Sequence, residues 1–192
     1  MRKLSQTEQG NLIALLSKAL SDEWKAAFQY QIHASRLRGL SRDPIAEHLS
    51  EHGEDEVGHA EKLTLHFYSH GLPVDVSVPE IASGSDTVEM INQDLEDEVS
   101  AIALYTQIVE LCENVPELKD TQMLIESILT DEVEHADDDA SFIRSKISEK
   151  EGNFGGAERV AVASTLIKAA DVVDVLGLEE FADRYTKYAA EI

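Results

Sequence analysis

The sequence predicts an all-α protein: a four-helix bundle with one long crossover and a C-terminal helical extension. Three observations carry this reading. The hydrophobic period is helical almost everywhere, and the four prolines and ten glycines fall mostly at joints. The four helices delimited in this way run to roughly 28 to 36 residues, against a usual mean of about 11 to 12. One connection alone is long, GLPVDVSVPEIASGS at 71–85, and its prolines, glycines and β-type residues describe an extended crossover.

Each element has its own signal. Ser5-x-x-Glu8 has the form of a capping box and opens a first helix expected to run to about Gly39. Asp43 followed by Pro44 suits an N-cap with proline at the first helical position; this second helix is expected to end at about Gly71. After the crossover, Asp86-x-x-Glu89 caps a third helix that ends near Asn114. Pro116 starts a fourth, expected to end near Gly152. NFGG at 153–156 reads as a hinge, and from Ala157 the chain is helical again with a break at Gly177. The expected division is a bundle over 1–152 and a hinge with helical extension over 153–192.

Composition narrows the function. The 192 residues suffice for one domain with a real core, and 43% hydrophobic residues is ordinary for a globular chain. One cysteine, Cys112, rules out an intramolecular disulfide and suits a reducing compartment, so a cytoplasmic protein is expected. MRKLSQTEQGNLIALL lacks the pattern of a signal peptide, and no apolar run is long enough for a membrane span. A net charge of −22 disfavours nucleic acid and anionic lipid as partners and favours cations. Solubility, or adaptation to a saline cytoplasm, explains the same charge.

The buried seams carry the chemistry. Bundle helices bury positions spaced alternately three and four apart. The seam of the first helix contains Leu16, Leu20, Glu23, Ala27 and Tyr30; that of the second, Leu49, His52, Glu56, His59 and Leu63. The third contributes Leu95, Glu98, Ile102 and Tyr105, and the fourth Ile125, Ile128, Glu132, His135 and Asp139. Each apolar stripe is thus broken near its middle by a glutamate. In the second and fourth helices a histidine follows three residues later, within near-identical heptapeptides, DEVGHAE at 55–61 and DEVEHAD at 131–137. No lysine or arginine occupies any seam to compensate, and a buried carboxylate without a partner destabilises a fold by several kcal/mol or neutralises. Two divalent cations balance four carboxylates. A mixed carboxylate and imidazole set suits iron, manganese or zinc better than calcium or magnesium. The candidate ligands are Glu23, Glu56, His59, Glu98, Glu132 and His135, arranged as two copies of a helix pair.

Neighbouring residues complete the picture. Asp55 and Asp131 directly precede the motif glutamates, and each is placed to accept the outer N–H of the histidine on the opposite helix. Tyr30 and Tyr105 lie one heptad beyond Glu23 and Glu98; they either bond a ligand carboxylate or fill the core with hydroxyls satisfied elsewhere. His52, His66 and His70 read as structural in preference to a second metal site or a delivery path. Asp139 reads as a partly solvated seam end, residues 137–139 as a solvated face, and Cys112 as a packed core thiol.

The chain resembles the ferritin-like diiron-carboxylate superfamily, whose bundle takes one Glu from each of two helices and Glu-x-x-His from each of the others. Within it the closest resemblance is to bacterioferritin, through Glu23 with Tyr30-x-x-His-Ala, DEVGHAE, GLP at 71–73, EMINQDLEDE at 89–98 and DEVEHAD. The resemblance covers roughly residues 10–150 and implies a ferritin-like four-helix bundle in which the six ligands hold two irons, with manganese or zinc as substitutes. It implies a ferroxidase: Fe(II) binds, is oxidised to Fe(III) by O2 or H2O2, and is stored or detoxified in a homo-oligomer.

The pattern is departed from in two places. The haem-ligating methionine of bacterioferritins follows the second-helix glutamate, where this chain has Val57, so no haem is expected. The tail is longer than one short fifth helix; lining an assembly axis, blocking cage closure, covering the bundle and binding a partner all remain open to it. The competing reading is a non-storing diiron oxidoreductase, such as a rubrerythrin-like peroxidase or an oxygenase. Rubrerythrin-type sites add a glutamate three residues after the third-helix ligand; here that residue is Ala101, and no Cys-x-x-Cys module is present. A DNA-protecting miniferritin fits neither the two Glu-x-x-His motifs nor the charge.

Overall fold

The structure, a computed structural model, describes residues 3–37, 42–149 and 155–192. Among these residues there are six α-helices and no strand: α1 (Gln6–Arg36), α2 (Arg42–His70), α3 (Thr87–Cys112), α4 (Lys119–Glu149), α5 (Gly156–Val175) and α6 (Glu179–Glu191). None of them is long and apolar enough to cross a membrane.

Helix ends follow local chemistry. The Ser5 hydroxyl accepts from Glu8 N at 3.2 Å, while the Glu8 carboxylate accepts from Ser5 N at 2.8 Å, closing a capping box on α1. At α3 the Asp86 carboxylate accepts from Val88 N and Glu89 N, whereas Glu89 turns back to Ser85 N instead of to Asp86. The third helix stops where Asn114 takes φ 59°. The ends of α2 and α5 share one device. Gly71 and Gly177 adopt φ 61° and 73°, and the next residue donates back across the turn, Leu72 N to Phe67 O and Leu178 N to Val173 O.

Two boundaries differ from the sequence expectation. Pro116 opens a single 3-10 turn, Pro116–Leu118, and the α-helix begins only at Lys119. Asp43 lies inside α2, which already starts at Arg42; Pro44 is accommodated because first-turn N–H groups have no intrahelical acceptor. Gly39, Gly152 and residues 153–154 of the expected hinge lie outside the described residues, as does the side chain of Asp43.

The helices pair α1 with α2 and α3 with α4, and the crossover lets α3 run antiparallel to α1. That crossover is laid along α1: Ser77 N donates to Ser21 Oγ at 3.0 Å and Ala82 N to Gln29 Oε1 at 3.0 Å. The His33 Nε2 meets Ala82 O at 3.2 Å, and its Nδ1 lies 2.8 Å from both oxygens of the buried Asp94 on α3. Gln29 adds bonds to Asp94 and Asp97. These contacts fix the register of α1 against α3.

The core has two apolar lobes with a polar band between them. One is built on Leu16, Leu20, Leu63, Phe67, Ile108 and Ile125. The other holds Leu49, Ile91, Leu95 and Ile143 and extends into Val162, Leu166, Val173 and Tyr185 of the C-terminal helices. The extension therefore covers the bundle, with Thr165 bonded to Glu96 of α3 and Arg184 paired with Asp137 of α4. Arg144 Nε donates to Glu191 Oε2 at 2.9 Å. This placement corrects the reading of residues 137–139. The Asp138 side chain is half-exposed, Asp137 is paired with Arg184, and Asp139 is completely buried, its carboxylate bonded to Tyr30 of α1 inside the bundle.

Candidate metal centre

The polar band gathers Glu23 of α1, Glu56 and His59 of α2, Glu98 of α3, and Glu132 and His135 of α4, all buried. Helical spacing brings them there. The i, i+3 step turns each Glu-x-x-His pair onto one face, and the single glutamates sit at the same level on the two remaining helices.

The six groups form two overlapping sets. One ligand atom each from Glu23, Glu56, His59 and Glu132 lie within 4.8 Å of one another, as do atoms of Glu56, Glu98, Glu132 and His135. Glu56 and Glu132 belong to both sets, which otherwise consist of Glu23 with His59 and of Glu98 with His135. The imidazoles point Nδ1 inward. His59 Nδ1 is 3.1 Å from Glu132 and 3.3 Å from both Glu23 and Glu56. His135 Nδ1 is 3.0 Å from Glu56 and 3.9 Å from Glu98 and Glu132.

The surroundings repeat the pseudo-twofold. His59 Nε2 meets Asp131 Oδ2 at 3.0 Å, and His135 Nε2 lies 3.6 Å from Asp55 Oδ2. Each aspartate thus faces the histidine of the opposite helix, closely on one side and loosely on the other. Tyr30 OH donates to Glu98 Oε1 at 2.5 Å, and Tyr105 OH donates to Glu23 Oε1. Tyr30 also reaches Asp139 Oδ2 at 3.2 Å. Three inward carboxylate oxygens, Glu23 Oε2, Glu98 Oε2 and Glu132 Oε1, are buried without a hydrogen-bond donor, although Glu132 Oε1 comes within 3.1 Å of His59.

Without a cation the electrostatics are severe. Burial, then the neighbouring carboxylates, push Glu23 and Glu98 well above the ordinary glutamate range. Burial opposes charge on His59 and His135, but their hydrogen bonds to the carboxylates win and raise both. Burial also opposes charge on Glu56, and its bonds to His135 and His59 win and hold it low. The cage thus favours bound protons when metal-free, and its donor set, four carboxylates and two inward Nδ1 atoms, fits two divalent cations. A cavity of about 510 Å³ between α1, α3 and the crossover reaches Glu23, Glu56, Glu98 and Glu132 from the surface. Its rim carries Lys18 paired with Asp22, and Lys25 paired with Asp97 at 2.6 Å.

Sequence reasoning missed two parts of this surround. Asp94 and its partners His33 and Gln29 lie outside the seams, and a polar residue one place off a seam reads as solvated. Asp139 was visible as a seam position seven residues after Glu132, but nothing local signals that Tyr30 of α1 reaches it inside the bundle.

Comparison with known proteins places this geometry. Residues 13–146 match the family model described as the ferritin-like domain. The bacterioferritin of Brucella melitensis is 29% identical over 127 residues, covering 66% of this chain and 78% of that protein. A bacterial ferritin of Neisseria meningitidis is 25% identical over 130 residues, covering 67% and 84%. Among solved structures, a dodecameric thioferritin of Bacteroides fragilis superposes with TM-score 0.67 at 24% identity, over 76% of this chain and 92% of that one. The bacterioferritin of Rhodobacter capsulatus, solved with a metal-free dinuclear site and haem iron, gives 0.63 at 26% identity over 73% and 87%.

Proposed function

The chain belongs to the ferritin-like domain family, and on that premise we propose that it oxidises Fe(II) to Fe(III) at the six-residue cage, with O2 or H2O2 as oxidant, and stores or detoxifies the product. The observation that carries this is the pair of overlapping ligand sets sharing Glu56 and Glu132. Similarity to bacterioferritin and bacterial ferritins supports it. We further propose a cytoplasmic homo-oligomer.

Glu23, Glu56, His59, Glu98, Glu132 and His135 hold two irons in this reading. Bound iron supplies the redox chemistry, each Fe(II) giving up one electron. The protein's own residues prepare the site. His59 donates its Nε2–H to Asp131, and Asp55 faces the Nε2–H of His135, which favours the tautomer that leaves each Nδ1 lone pair facing inward. Tyr30 and Tyr105 each bind one oxygen of Glu98 and Glu23, so the other oxygen stays directed at the cage. Loading requires Glu23, Glu98 and both imidazoles to lose protons, and the cleft gives those protons a route to water. The carboxylate-rich set favours the harder Fe(III) state. Val57, beside Glu56, offers no sulfur ligand, so haem is not part of the proposal.

The test is stepwise aerobic addition of Fe(II), following oxidation by absorbance and counting iron retained per subunit. We expect rapid oxidation in the parent chain and its loss in Glu56→Ala and in Glu132→Ala, with circular dichroism unchanged. Parent-like oxidation rates in both variants would refute the assignment. Retention of many irons per subunit supports storage; saturation at the cage alone points to a non-storing diiron oxidoreductase.

A further inference from the structure

Outside the cage, one side-chain cluster has an imidazole without a hydrogen bond. His48 and His52 are one turn apart on α2, so their rings share a face, and Asp138 of α4 stands opposite. One ligand atom from each of the three lies within 4.8 Å of the other two. His52 is 5% exposed, and its Nδ1 has no partner. Its Nε2 has a 3.4 Å approach to Asp138 Oδ2, longer than an ordinary hydrogen bond. Buried polar groups are normally bonded, so an idle buried imidazole requires a reason.

The setting is that of a port. The side chains of His48 and Asp138 are 49% and 48% exposed, so the cluster opens to solvent on one side. On the other, the His52 ring stacks on His135 with centroids 4.2 Å apart and meets Tyr30 edge-on at 5.3 Å. Glu51 lies 3.5 Å from His48 Nδ1 and adds negative charge at the rim. A second trio, His66, His70 and Asp120, lies toward the other end of α2 but is internally satisfied. There His66 Nε2 bonds Thr121 at 3.1 Å and His70 Nε2 meets Asp120 at 2.8 Å.

We propose that His48, His52 and Asp138 form a mononuclear site for a divalent transition-metal cation, separate from the six-residue cage. Two imidazoles and one carboxylate make the three-ligand set of an open tetrahedral site, completed by water. Such a set selects zinc, cobalt or ferrous ions over calcium and magnesium, which want oxygen alone. Because His52 stacks on His135, the site stands one ring away from the cage and stations a cation beside it. That placement rests on the cage reading, whereas the binding itself does not.

The test uses the full chain with Glu98→Gln and Glu132→Gln disabling the cage and His70→Ala removing the second trio. Zinc is titrated calorimetrically and located by anomalous diffraction at the zinc edge. One zinc per subunit is expected among His48, His52 and Asp138. Adding His48→Ala and Asp138→Asn, both surface changes, should remove it or weaken it by roughly tenfold or more, with circular dichroism unchanged. An unchanged zinc count and affinity after those substitutions, or an anomalous map empty at this position, overturns the proposal. The two readings fail separately. A parent chain that does not oxidise Fe(II) sinks the cage assignment without altering the zinc count at His48.

Discussion

Burial, then the neighbouring carboxylates, raise Glu23 and Glu98 well above the ordinary value of 4.5 in the metal-free fold. The linkage has a definite sign. A raised acid contributes stability that is fully present below its unfolded value and is lost as pH rises through its folded value. His59 and His135, also raised, act in the same direction above their ordinary 6.5. Glu56 opposes them, since its depressed value contributes stability above 4.5 that is lost on acidification. The raised groups act above 4.5 and Glu56 below it, so the melting temperature of the metal-free protein should fall as pH rises above about 5. Glu98→Gln removes one titrating carboxyl from that balance, so its melting temperature should fall less steeply over the same range. A steeper fall in the variant would show that Glu98 is ionised and paired in the metal-free state. Asp131 acts one step further out. It is partly exposed and touches the cage only through His59 Nε2, so Asp131→Asn should leave the fold intact. Cation affinity should drop by about 10–100-fold, measured by calorimetric titration with zinc.

Most helix boundaries with a local signal were legible, although Asp43 and Pro116, equally local, misplaced the starts of α2 and α4. Ser5, Asp86, Gly71 and Gly177 each mark an end through their own backbone or side chain, and the structure uses all four. The path of the crossover was not legible. Its acceptors and donors, Ser21, Gln29 and His33, are some fifty residues away in sequence, and nothing in 71–85 names them. Glycines show how context sets the sign of one substitution. Gly177 sits at φ 73° with open space around a Cβ, so Gly177→Ala carries conformational strain alone and should destabilise by about 1–2 kcal/mol. Gly10 lies within α1, exposed, with equal room. There Gly10→Ala should stabilise by about 0.5–1 kcal/mol, through helix propensity. Urea denaturation of the two variants beside the parent checks both signs at once, and a shared sign would remove the conformational argument.

At the scale of the molecule, the sequence divides the chain at the hinge, yet the apolar face of the extension continues the core of the bundle. The cage was readable because two heptapeptides repeat within one bundle. The burial of Asp139 was not, because its partner Tyr30 lies on α1, far away in sequence. Tyr185 concentrates this coupling: it is fully buried, and its hydroxyl lacks a hydrogen-bond partner. Tyr185→Phe removes an unsatisfied polar atom at nearly constant volume and should be neutral or slightly stabilising. Tyr185→Ala empties a large buried site and should destabilise by about 3–5 kcal/mol, as other aromatic truncations do. If α5 and α6 unfold with the bundle, calorimetry will show one transition in the parent, and Tyr185→Ala will lower it as a whole. Loss of a separate, weaker transition, with the bundle's own melting unmoved, would mark residues 155–192 as an independent unit. The Arg184–Asp137 pair would then be a contact that opens by itself, and hydrogen exchange on α4 near Asp137 should rise accordingly.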